Sequence, residues 1–314
     1  GRGAGHPLMR LVFFGSGAFA VPILRALAPW IELVVSQPDR PTGRKMVPTP
    51  TPVAQAAAEL ELPLDKPERC RDQAFVARVR SLGADALVVA SYGQILSEDL
   101  LGSAAYGGIN FHGSVLPYWR GAAPIQWSIR ERCHAGVTVM QMDRGMDTGD
   151  IIAVREHPFR SEWDLPTYGE LEATLAEWSA QMALEWMPRI AVGEYPRTPQ
   201  DSSLATYAPK LRPEDLVVGF DHPADRVYAW MQAACPRPGL WLRTSLGRWK
   251  LWRVAPGPEG VPAGTVAETG PRLVLGFAGR SLVVEEAQLE GKNKVTGAQL
   301  ACGLRLKPGA DLLP

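Results

Sequence analysis

Two polar side chains stand two positions apart near the middle of the chain, Asn110 and His112. The segment 108–112 is otherwise mostly apolar and predicts a short strand, in which alternate side chains point to the same face. An amide and an imidazole on one face can stabilise a developing negative charge or move a proton on a shared substrate. Taken alone, such a pair is also typical of a hydrogen-bonded core.

The surroundings of this pair favour a reactive site. Residues 113–124 form a loop with Gly and Pro that enters a predicted helix, and such a loop lets a ligand approach the backbone closely. The flexible acidic loop 143–150 adds a carboxylate, Asp147, at the end of another predicted strand. A calcium-binding loop is the alternative, but the EF-hand spacing and its terminal Glu are missing.

A second motif, at residues 15–20, matches the glycine pattern of dinucleotide-binding turns, since it lies between a predicted strand and a predicted helix. That pattern requires an acidic residue at the end of the next strand, to hold a ribose hydroxyl. The next strand ends at Gln37, and Asp39 lies in a Pro-flanked loop. We therefore interpret the glycines as a tight turn.

Predicted strands and helices alternate from residue 9 to residue 192. Apolar runs predict strands at 10–14, 31–36, 84–90, 108–112 and 136–142. Helical spacing of apolar residues predicts helices at 21–28, 52–60, 122–132 and 167–192. Alternation of this kind favours an α/β fold, a doubly wound, mostly parallel Rossmann-like sheet with helices on both faces. Ligands of such sheets bind beyond the carboxyl ends of the strands, where we place Asn110, His112 and Asp147.

The pattern changes after residue 192. The polar, Pro-containing stretch 193–212 is predicted to be an interdomain linker. Beyond it, a helix at 224–233 and short apolar runs separated by Pro and Gly indicate a small OB-like β-barrel. We thus predict a catalytic domain at 9–192 and a second domain at 213–314, and we exclude the Gly-rich stretch before Met9 from the fold.

Composition limits the classes of function. The 314 residues are 46% hydrophobic and 21% charged, as in ordinary globular proteins, and the formal net charge is zero, so a basic whole chain is excluded. Four widely spaced cysteines form no C-x-x-C pair, which argues against a zinc site or a disulfide framework and fits a reducing cytoplasm. No apolar run reaches the ~20 residues that span a bilayer. We expect a cytoplasmic monomer that needs no metal.

Residues 110–126, together with 141–143 and 146–150, resemble the formyltransferases that use 10-formyltetrahydrofolate as formyl donor. The chain departs from the family's more common residues at Val115 and in the turn 15–19, neither of which removes a reactive group. The resemblance implies direct formyl transfer through a tetrahedral intermediate. Asn110 would donate to the formyl oxygen, and His112, with Asp147 favouring its protonated form, would stabilise the oxyanion and assist proton transfer. Ser114 has no assigned base, so a formyl-enzyme is not expected.

The same resemblance implies a folate pocket. Its predicted residues are Ser91, Tyr92, Gly93, Gln94, Ile95, Ser114, Val115, Leu116, Pro117 and Asp143, the last of which begins a loop, 143–147, that is predicted to line the pocket. Backbone groups of Gly-containing loops suit the polar edge of a pterin. Plain packing is an equal alternative for Tyr92.

The acceptor is indicated by other segments. Residues 37–45, 206–211, 291–292 and 299–300 resemble the members of the family that formylate initiator methionyl-tRNA. The resemblance implies that Arg40, Arg44 and Lys45 contact the tRNA, and basic and Trp residues of the second domain suit RNA as well. A sugar-nucleotide formyltransferase is the nearest alternative. A non-enzymatic RNA-binding module would leave Asn110, His112 and Asp147 without a role.

Overall fold

The computed structural model describes residues 8–314. Our exclusion of the stretch before Met9 therefore falls, apart from Leu8, outside the described residues. The described chain divides into two compact units. The first contains the residues through Pro124 together with His134–His157 and Glu172–Tyr207. The second contains Ile125–Cys133, Pro158–Leu171 and Ala208–Pro314, so the units interleave along the chain, whereas our predicted domains are contiguous.

The first unit has central strands that form from short apolar runs and further strands that are more exposed. They are β1 (Leu11–Gly15), β2 (Ile31–Val35), β3 (Arg40–Thr42), β4 (Val47–Thr49), β5 (Leu64–Asp65), β6 (Ala86–Ala90), β7 (Gly108–His112), β8 (Gly136–Gln141) and β9 (Ile151–Glu156). Seven of them form one sheet in the order β5-β2-β1-β6-β7-β8-β9, and β3 pairs with β4 in a separate hairpin. The pairs from β5 to β7 are parallel, so the predicted mostly parallel Rossmann-like sheet is confirmed.

The α-helices of the described residues are α1 (Val21–Leu27), α2 (Pro52–Glu59), α3 (Gln73–Ser81), α4 (Glu98–Leu101), α5 (Pro124–Glu131), α6 (Tyr168–Ile190), α7 (Ala224–Ala234) and α8 (Gly297–Gly303). Five of them, α1, α2, α5, α6 and α7, begin and end close to the predicted positions, whereas α3, α4 and α8 were not predicted. Helix α2 shows the local reasons for such a start: the Thr51 hydroxyl accepts a hydrogen bond from the Ala54 N–H, and Pro52 occupies the first turn.

The direction of β8 corrects our placement of Asp147. We treated β8 as another strand of a parallel sheet, but it runs antiparallel to β7, with Thr138 opposite His112 and Gln141 opposite Ile109. Its carboxyl end therefore lies beside the start of β7. The loop that follows folds back, because the Gln141 N–H donates to the Asp150 carbonyl and β9 then pairs with β8. This reversal returns Asp147 to His112.

The glycine turn after β1 is occupied by backbone hydrogen bonds. The N–H groups of Ser16 and Gly17 both donate to the carbonyl oxygen of Ser91. Phosphate-binding turns instead leave their N–H groups free for the ligand. The geometry agrees with a tight turn rather than a nucleotide site.

Part of the predicted linker is built into the first unit. Thr198 forms a β-bridge with Ile151, and the Thr206 carbonyl accepts a hydrogen bond from the Arg120 N–H at 2.9 Å. Residues 193–207 thus run along the sheet unit and contribute contacts to it.

The second unit contains one curled sheet. Its strands are β10 (Val217–Val218), β11 (Leu240–Thr244), β12 (Gly247–Pro256), β13 (Val266–Glu268), β14 (Leu273–Gly276), β15 (Ser281–Leu289) and β16 (Lys294–Thr296). The order is β10-β11-β12-β15-β14-β13, with β16 paired to β15. Register irregularities between Leu251 and Val254 mark where β12 bends. The half-barrel that results is consistent with the predicted OB-like class.

Every helix within residues 8–314 is too short or too polar to span a membrane. The same residues contain no group of three or more His, Cys, Asp and Glu side chains arranged to hold a metal ion.

Candidate active site

The structure brings Asn110, His112 and Asp147 together. Asn110 and His112 lie on one face of β7, as their spacing predicts. The Nδ1 atom of His112 is 3.7 Å from Oδ1 of Asp147, and both side chains are largely buried, at 7% and 16% exposure. Asn110 and Asp147 both border one cavity. The three side chains therefore share one site.

A backbone carbonyl anchors the imidazole of His112. Its Nε2 lies 2.8 Å from the carbonyl oxygen of Trp119. A carbonyl can only accept, so Nε2 carries the proton of this hydrogen bond. Nδ1 is then the nitrogen that faces Asp147, at a distance too long for a hydrogen bond. Trp119, which sequence reasoning missed, orients the ring.

Asp147 is held through both its side chain and its backbone. Its Oδ2 accepts a hydrogen bond from the Gly121 N–H at 2.8 Å. Its φ angle is +58°, in the left-handed region that residues other than glycine seldom adopt. The Gln200 side-chain amide donates to the Asp147 carbonyl at 2.9 Å and to the Gly149 carbonyl at 2.7 Å. These bonds fix an unfavourable backbone conformation at a site residue.

The loop that supplies the Trp119 carbonyl and the Gly121 N–H is itself braced. The Trp119 N–H donates to the Thr206 hydroxyl at 3.0 Å, and the neighbouring Arg120 N–H donates to the Thr206 carbonyl. Trp119 and Gly121 both have positive φ angles, +58° and +117°. The segment 193–207 therefore supports the same loop that contacts His112 and Asp147.

Asn110 presents a polar atom without a protein partner. Its Oδ1 is buried, and no hydrogen bond to it is made by the residues that the structure describes. Buried amide oxygens are nearly always paired, so a native structure with such an atom calls for an explanation. Because Asn110 lines the cavity, a bound substrate group is the simplest partner.

The cavity beside Asn110 has a volume of about 380 Å³, within the usual range for small-molecule sites. Of the predicted folate residues, the structure places Tyr92, Gly93, Gln94, Ile95 and Asp143 in its wall. The rest of the predicted loop 143–147 lies in the wall as well, and the wall residues that sequence reasoning missed are Val89, Leu96, Gly121, Ala122, Met140 and Met142. The wall is thus mostly apolar, with polar and charged groups contributed by the two loops.

The loop that follows β6 is braced by Gln94. Its amide donates to the Gln37 side-chain oxygen at 2.8 Å and accepts from the Cys70 N–H at 2.8 Å. Gly93 has φ of +95°, and a Cβ there would lie 2.9 Å from Gln37. The loop conformation therefore depends on a glycine and on one amide, which leaves the exposed side chain of Ile95 at the cavity rim.

Tyr92 is packed in the core and also lines the cavity, while its contact with folate stays a prediction. Its side chain is 3% exposed and packs edge-on against Phe14, with ring centroids 5.3 Å apart. Burial raises the pKa of the Tyr92 phenol, an effect to which the neighbouring Cys70 adds. The ring is therefore a neutral core residue that also contributes to the cavity wall.

The other predicted folate residues lie outside this cavity. Ser114 is fully buried, and its hydroxyl donates to the Tyr118 carbonyl at 2.6 Å. The Leu116 N–H donates to the Thr138 hydroxyl at 3.0 Å. The cavity wall does not include Ser91, Val115 or Pro117 either. A folate contact of these five residues stays a prediction, and the bonds of Ser114 and Leu116 stabilise the turn that ends at Trp119.

The residues predicted to contact tRNA lie on the β3–β4 hairpin. Arg40 is 3.6 Å from Glu68, whereas Arg44 and Lys45, in the exposed turn, make no ion pair within residues 8–314. The hairpin follows Gln37, the residue bonded to Gln94 of the cavity wall. A basic surface segment thus begins next to the candidate folate loop.

The second unit exposes cations beside tryptophan rings. Arg248 lies 4.3 Å and Lys250 4.9 Å from the ring centroid of Trp241. Lys294 lies 3.9 Å from that of Trp252. Trp249, by contrast, is fully buried in the core, so it cannot serve as a surface platform.

Comparisons with known proteins agree with this geometry. Residues 9–183 match the model of the formyl transferase family, and residues 210–305 match that of the formyl transferase C-terminal domain. A methionyl-tRNA formyltransferase of Symbiobacterium thermophilum is 39% identical over 96% of this chain and 96% of its own length.

Two solved structures share the fold. An N-formyltransferase from Helicobacter canadensis, solved with folinic acid and dTDP-3-aminofucose, matches with a TM-score of 0.66 at 15% identity, over 88% of this chain and 99% of that one. A HypX variant from Aquifex aeolicus matches with a TM-score of 0.62 at 16% identity over 96% of this chain, which spans about half (49%) of that chain.

Proposed function

We infer the function from one premise: the chain belongs to the formyl transferase family. It transfers a formyl group from 10-formyltetrahydrofolate to the amino group of methionine on initiator methionyl-tRNA. The observation that carries this conclusion is the similarity to a methionyl-tRNA formyltransferase over nearly the whole chain, including the second unit. The reaction serves translation initiation.

Formyl transfer to an amine requires a group that binds the formyl oxygen as it becomes an oxyanion. We assign this role to Asn110, whose amide borders the cavity and whose Oδ1 has no partner among the described residues. Its Nδ2 donates to the formyl oxygen, and Oδ1 can accept an N–H of the attacking amine. One such donor contributes roughly 3–4 kcal/mol to the transition state.

The amine must also lose a proton. His112 is suited to receive it at Nδ1, because Nε2 is committed to the Trp119 carbonyl. Asp147 lies beside Nδ1 and stabilises the positive charge that the ring acquires. His112 can then pass this proton to N10 of the departing tetrahydrofolate. No covalent formyl-enzyme is required.

The donor and the acceptor require different surfaces. We propose that the folate occupies the cavity lined by Gly93, Gln94, Ile95 and Asp143, and that the methionyl end of the tRNA reaches Asn110 from outside. Arg44 and Lys45 are available for phosphate contacts, and the cation–tryptophan clusters of the second unit suit a nucleic acid backbone. Ranges 9–192 and 213–314 are thus our proposed catalytic and tRNA-binding domains, joined by 193–212.

The acceptor is tested by competition between substrates. Purified protein is incubated with 10-formyltetrahydrofolate and, in parallel, charged initiator tRNA, elongator methionyl-tRNA and a sugar-nucleotide amine. We expect formylation of the initiator tRNA at the highest kcat/KM. Modification of the sugar nucleotide alone would assign the chain to the alternative acceptor class.

Two further expectations follow from this function. Charged tRNA is made in the cytoplasm, so we propose that the protein acts there. We also propose a monomer, because both substrate surfaces belong to one chain. Sedimentation at working concentrations tests the second expectation, and a stable dimer would contradict it.

A further inference from the structure

We propose that Gln200 is a positioning residue for formyl transfer, which fixes Asp147 opposite His112 and is itself oriented by Arg120. The inference rests on the proposed role of Asp147. Gln200 lies in the stretch 193–212, where the sequence pattern indicates only a linker.

The side-chain amide of Gln200 has all its hydrogen-bonding positions filled. Its Nε2 donates to the carbonyl oxygens of Asp147 and Gly149, at 2.9 and 2.7 Å. Its Oε1 accepts two hydrogen bonds from the Arg120 guanidinium, at 2.9 and 3.3 Å. Since a guanidinium can only donate and a carbonyl can only accept, the oxygen must face Arg120 and the nitrogen must face the Asp147 loop.

Arg120 provides a fixed base for this arrangement. It is 4% exposed, and its guanidinium also donates to the Ser202 hydroxyl at 3.1 Å. Arg120 lies in the loop between Trp119 and Gly121, and its backbone N–H donates to the Thr206 carbonyl. The residue that orients Gln200 thus stands between the two backbone groups that hold His112 and Asp147.

The Asp147 loop needs such support. Asp147 has a left-handed backbone, which costs a residue other than glycine about 1 kcal/mol or more, and Gly149 packs so closely on the Gln141 carbonyl that a side chain cannot fit there. The only side-chain bonds to the carbonyls of Asp147 and Gly149 within residues 8–314 come from Gln200. Without them the loop can relax and move the carboxylate away from Nδ1 of His112.

Two substitutions distinguish a role of Gln200 in positioning the Asp147 loop from simple contact with Arg120. Gln200→Met removes all four hydrogen bonds. Gln200→Glu keeps an acceptor for Arg120 but places a second oxygen against two carbonyl oxygens. If Gln200 served only to accept hydrogen bonds from Arg120 or to fill the space beside it, the Glu variant would be fully active. We expect both variants to lose about 10- to 100-fold in kcat, with KM for folate and tRNA changed less than about two-fold.

A double-mutant cycle with Asp147→Asn provides the decisive readout. A residue that acts through Asp147 has nothing left to position once the carboxylate is gone, so Gln200→Met should cost less than about two-fold in the Asp147→Asn background. A general loss of folded protein would instead lower activity by the same factor in both backgrounds. Circular dichroism melting of each variant checks folding separately.

Gln181→Met is the matched control. Gln181 also accepts a hydrogen bond from an arginine, Arg155, at 2.9 Å, but it is exposed on α6 away from the three site residues. Its substitution should leave kcat unchanged. If Asp147→Asn retained full activity, the assigned role of Asp147 and this inference would both fail. If Asp147→Asn slowed transfer while Gln200→Met or Gln200→Glu did not, only the positioning role would be overturned.

Discussion

The imidazole of His112 has different neighbours at its two nitrogens, and for the catalytic role that we propose this asymmetry makes Nδ1 the nitrogen that exchanges protons. Nε2 is bonded to the Trp119 carbonyl, and Nδ1 faces a carboxylate 3.7 Å away. The sequence indicated His112 and Asp147 as candidate site residues. It did not indicate the Trp119 carbonyl as the partner of His112, because every residue carries a backbone carbonyl and only the fold brings one of them to the ring.

His112→Gln tests the assignment of the nitrogens. A Gln amide can still donate to the Trp119 carbonyl but offers no base at the Nδ1 position, so the protein should fold while formyl transfer slows by about 100-fold or more. Single-turnover kinetics with saturating folate measures the change. The control is His222→Gln, in the second unit, which should transfer at the normal rate. A fast His112→Gln enzyme would exclude His112 as the proton acceptor.

Ser114→Ala separates stability from chemistry. The Ser114 hydroxyl is buried and bonded to the Tyr118 carbonyl, so its removal leaves that carbonyl unsatisfied and should lower the free energy of unfolding by about 1–3 kcal/mol. The rate of formyl transfer should change little, because Ser114 contacts no reacting group. Urea denaturation and single-turnover kinetics on the same sample measure both effects. A large rate loss with unchanged stability would make Ser114 a substrate-binding residue.

At the scale of the elements, hydropathy predicted most strands of the sheet, because a buried strand is a continuous apolar run. Helical spacing of apolar residues predicted α1, α2, α5, α6 and α7. Hydropathy did not predict the direction of β8, since an apolar pattern reads alike in both directions. It also missed β9, whose residues are largely exposed towards its carboxyl end, and the short exposed strands β3 and β4. The antiparallel β8–β9 pair nevertheless decides where Asp147 lies.

Helix α8 offers a test of local stabilisation. The Thr296 hydroxyl accepts from the Gln299 N–H, and the Gln299 side chain accepts from the Thr296 N–H, forming a reciprocal cap. Thr296→Ala should therefore lower the free energy of unfolding of the second unit by about 1 kcal/mol, as measured by urea denaturation. Gln299→Ala removes the other half of the cap. If the double variant loses the full sum of both, the two bonds do not act as one cap.

At the scale of the whole molecule, a net charge of zero coexists with local clusters of basic residues. Many surface cations are neutralised, as Arg253 is by Glu285 at 3.0 Å, so a count of basic residues overstates the positive surface. The sequence shows that the second domain contains many basic residues. It does not show which of them form ion pairs with acidic residues and which do not. It could not place Trp249 in the core and Trp241 beside two cations either.

Salt dependence tests the hairpin cations. The double variant Arg44→Ala, Lys45→Ala should weaken tRNA binding and reduce the slope of log affinity against log salt by about 1.5, as expected for two lost phosphate contacts. Arg25→Ala serves as control, because Arg25 is an exposed arginine already paired with Glu59 at 2.9 Å. Filter binding at several salt concentrations measures the slope. An unchanged slope in the double variant would remove the hairpin from the interface.

The bonds from Gln200 to the Asp147 loop and to Arg120 also set an order of assembly. The sheet is complete once residue 156 has paired, but the Arg120–Gln200 contact joins positions 80 apart and the Asp147–Gln200 contact joins positions 53 apart. During synthesis, the sheet can therefore form before the segment that locks its reactive loop has left the ribosome. A nascent chain that has just completed β9 should already pair the strands of this sheet while lacking the Gln200 bonds that hold the Asp147 loop, so catalytic competence should arrive later than the sheet.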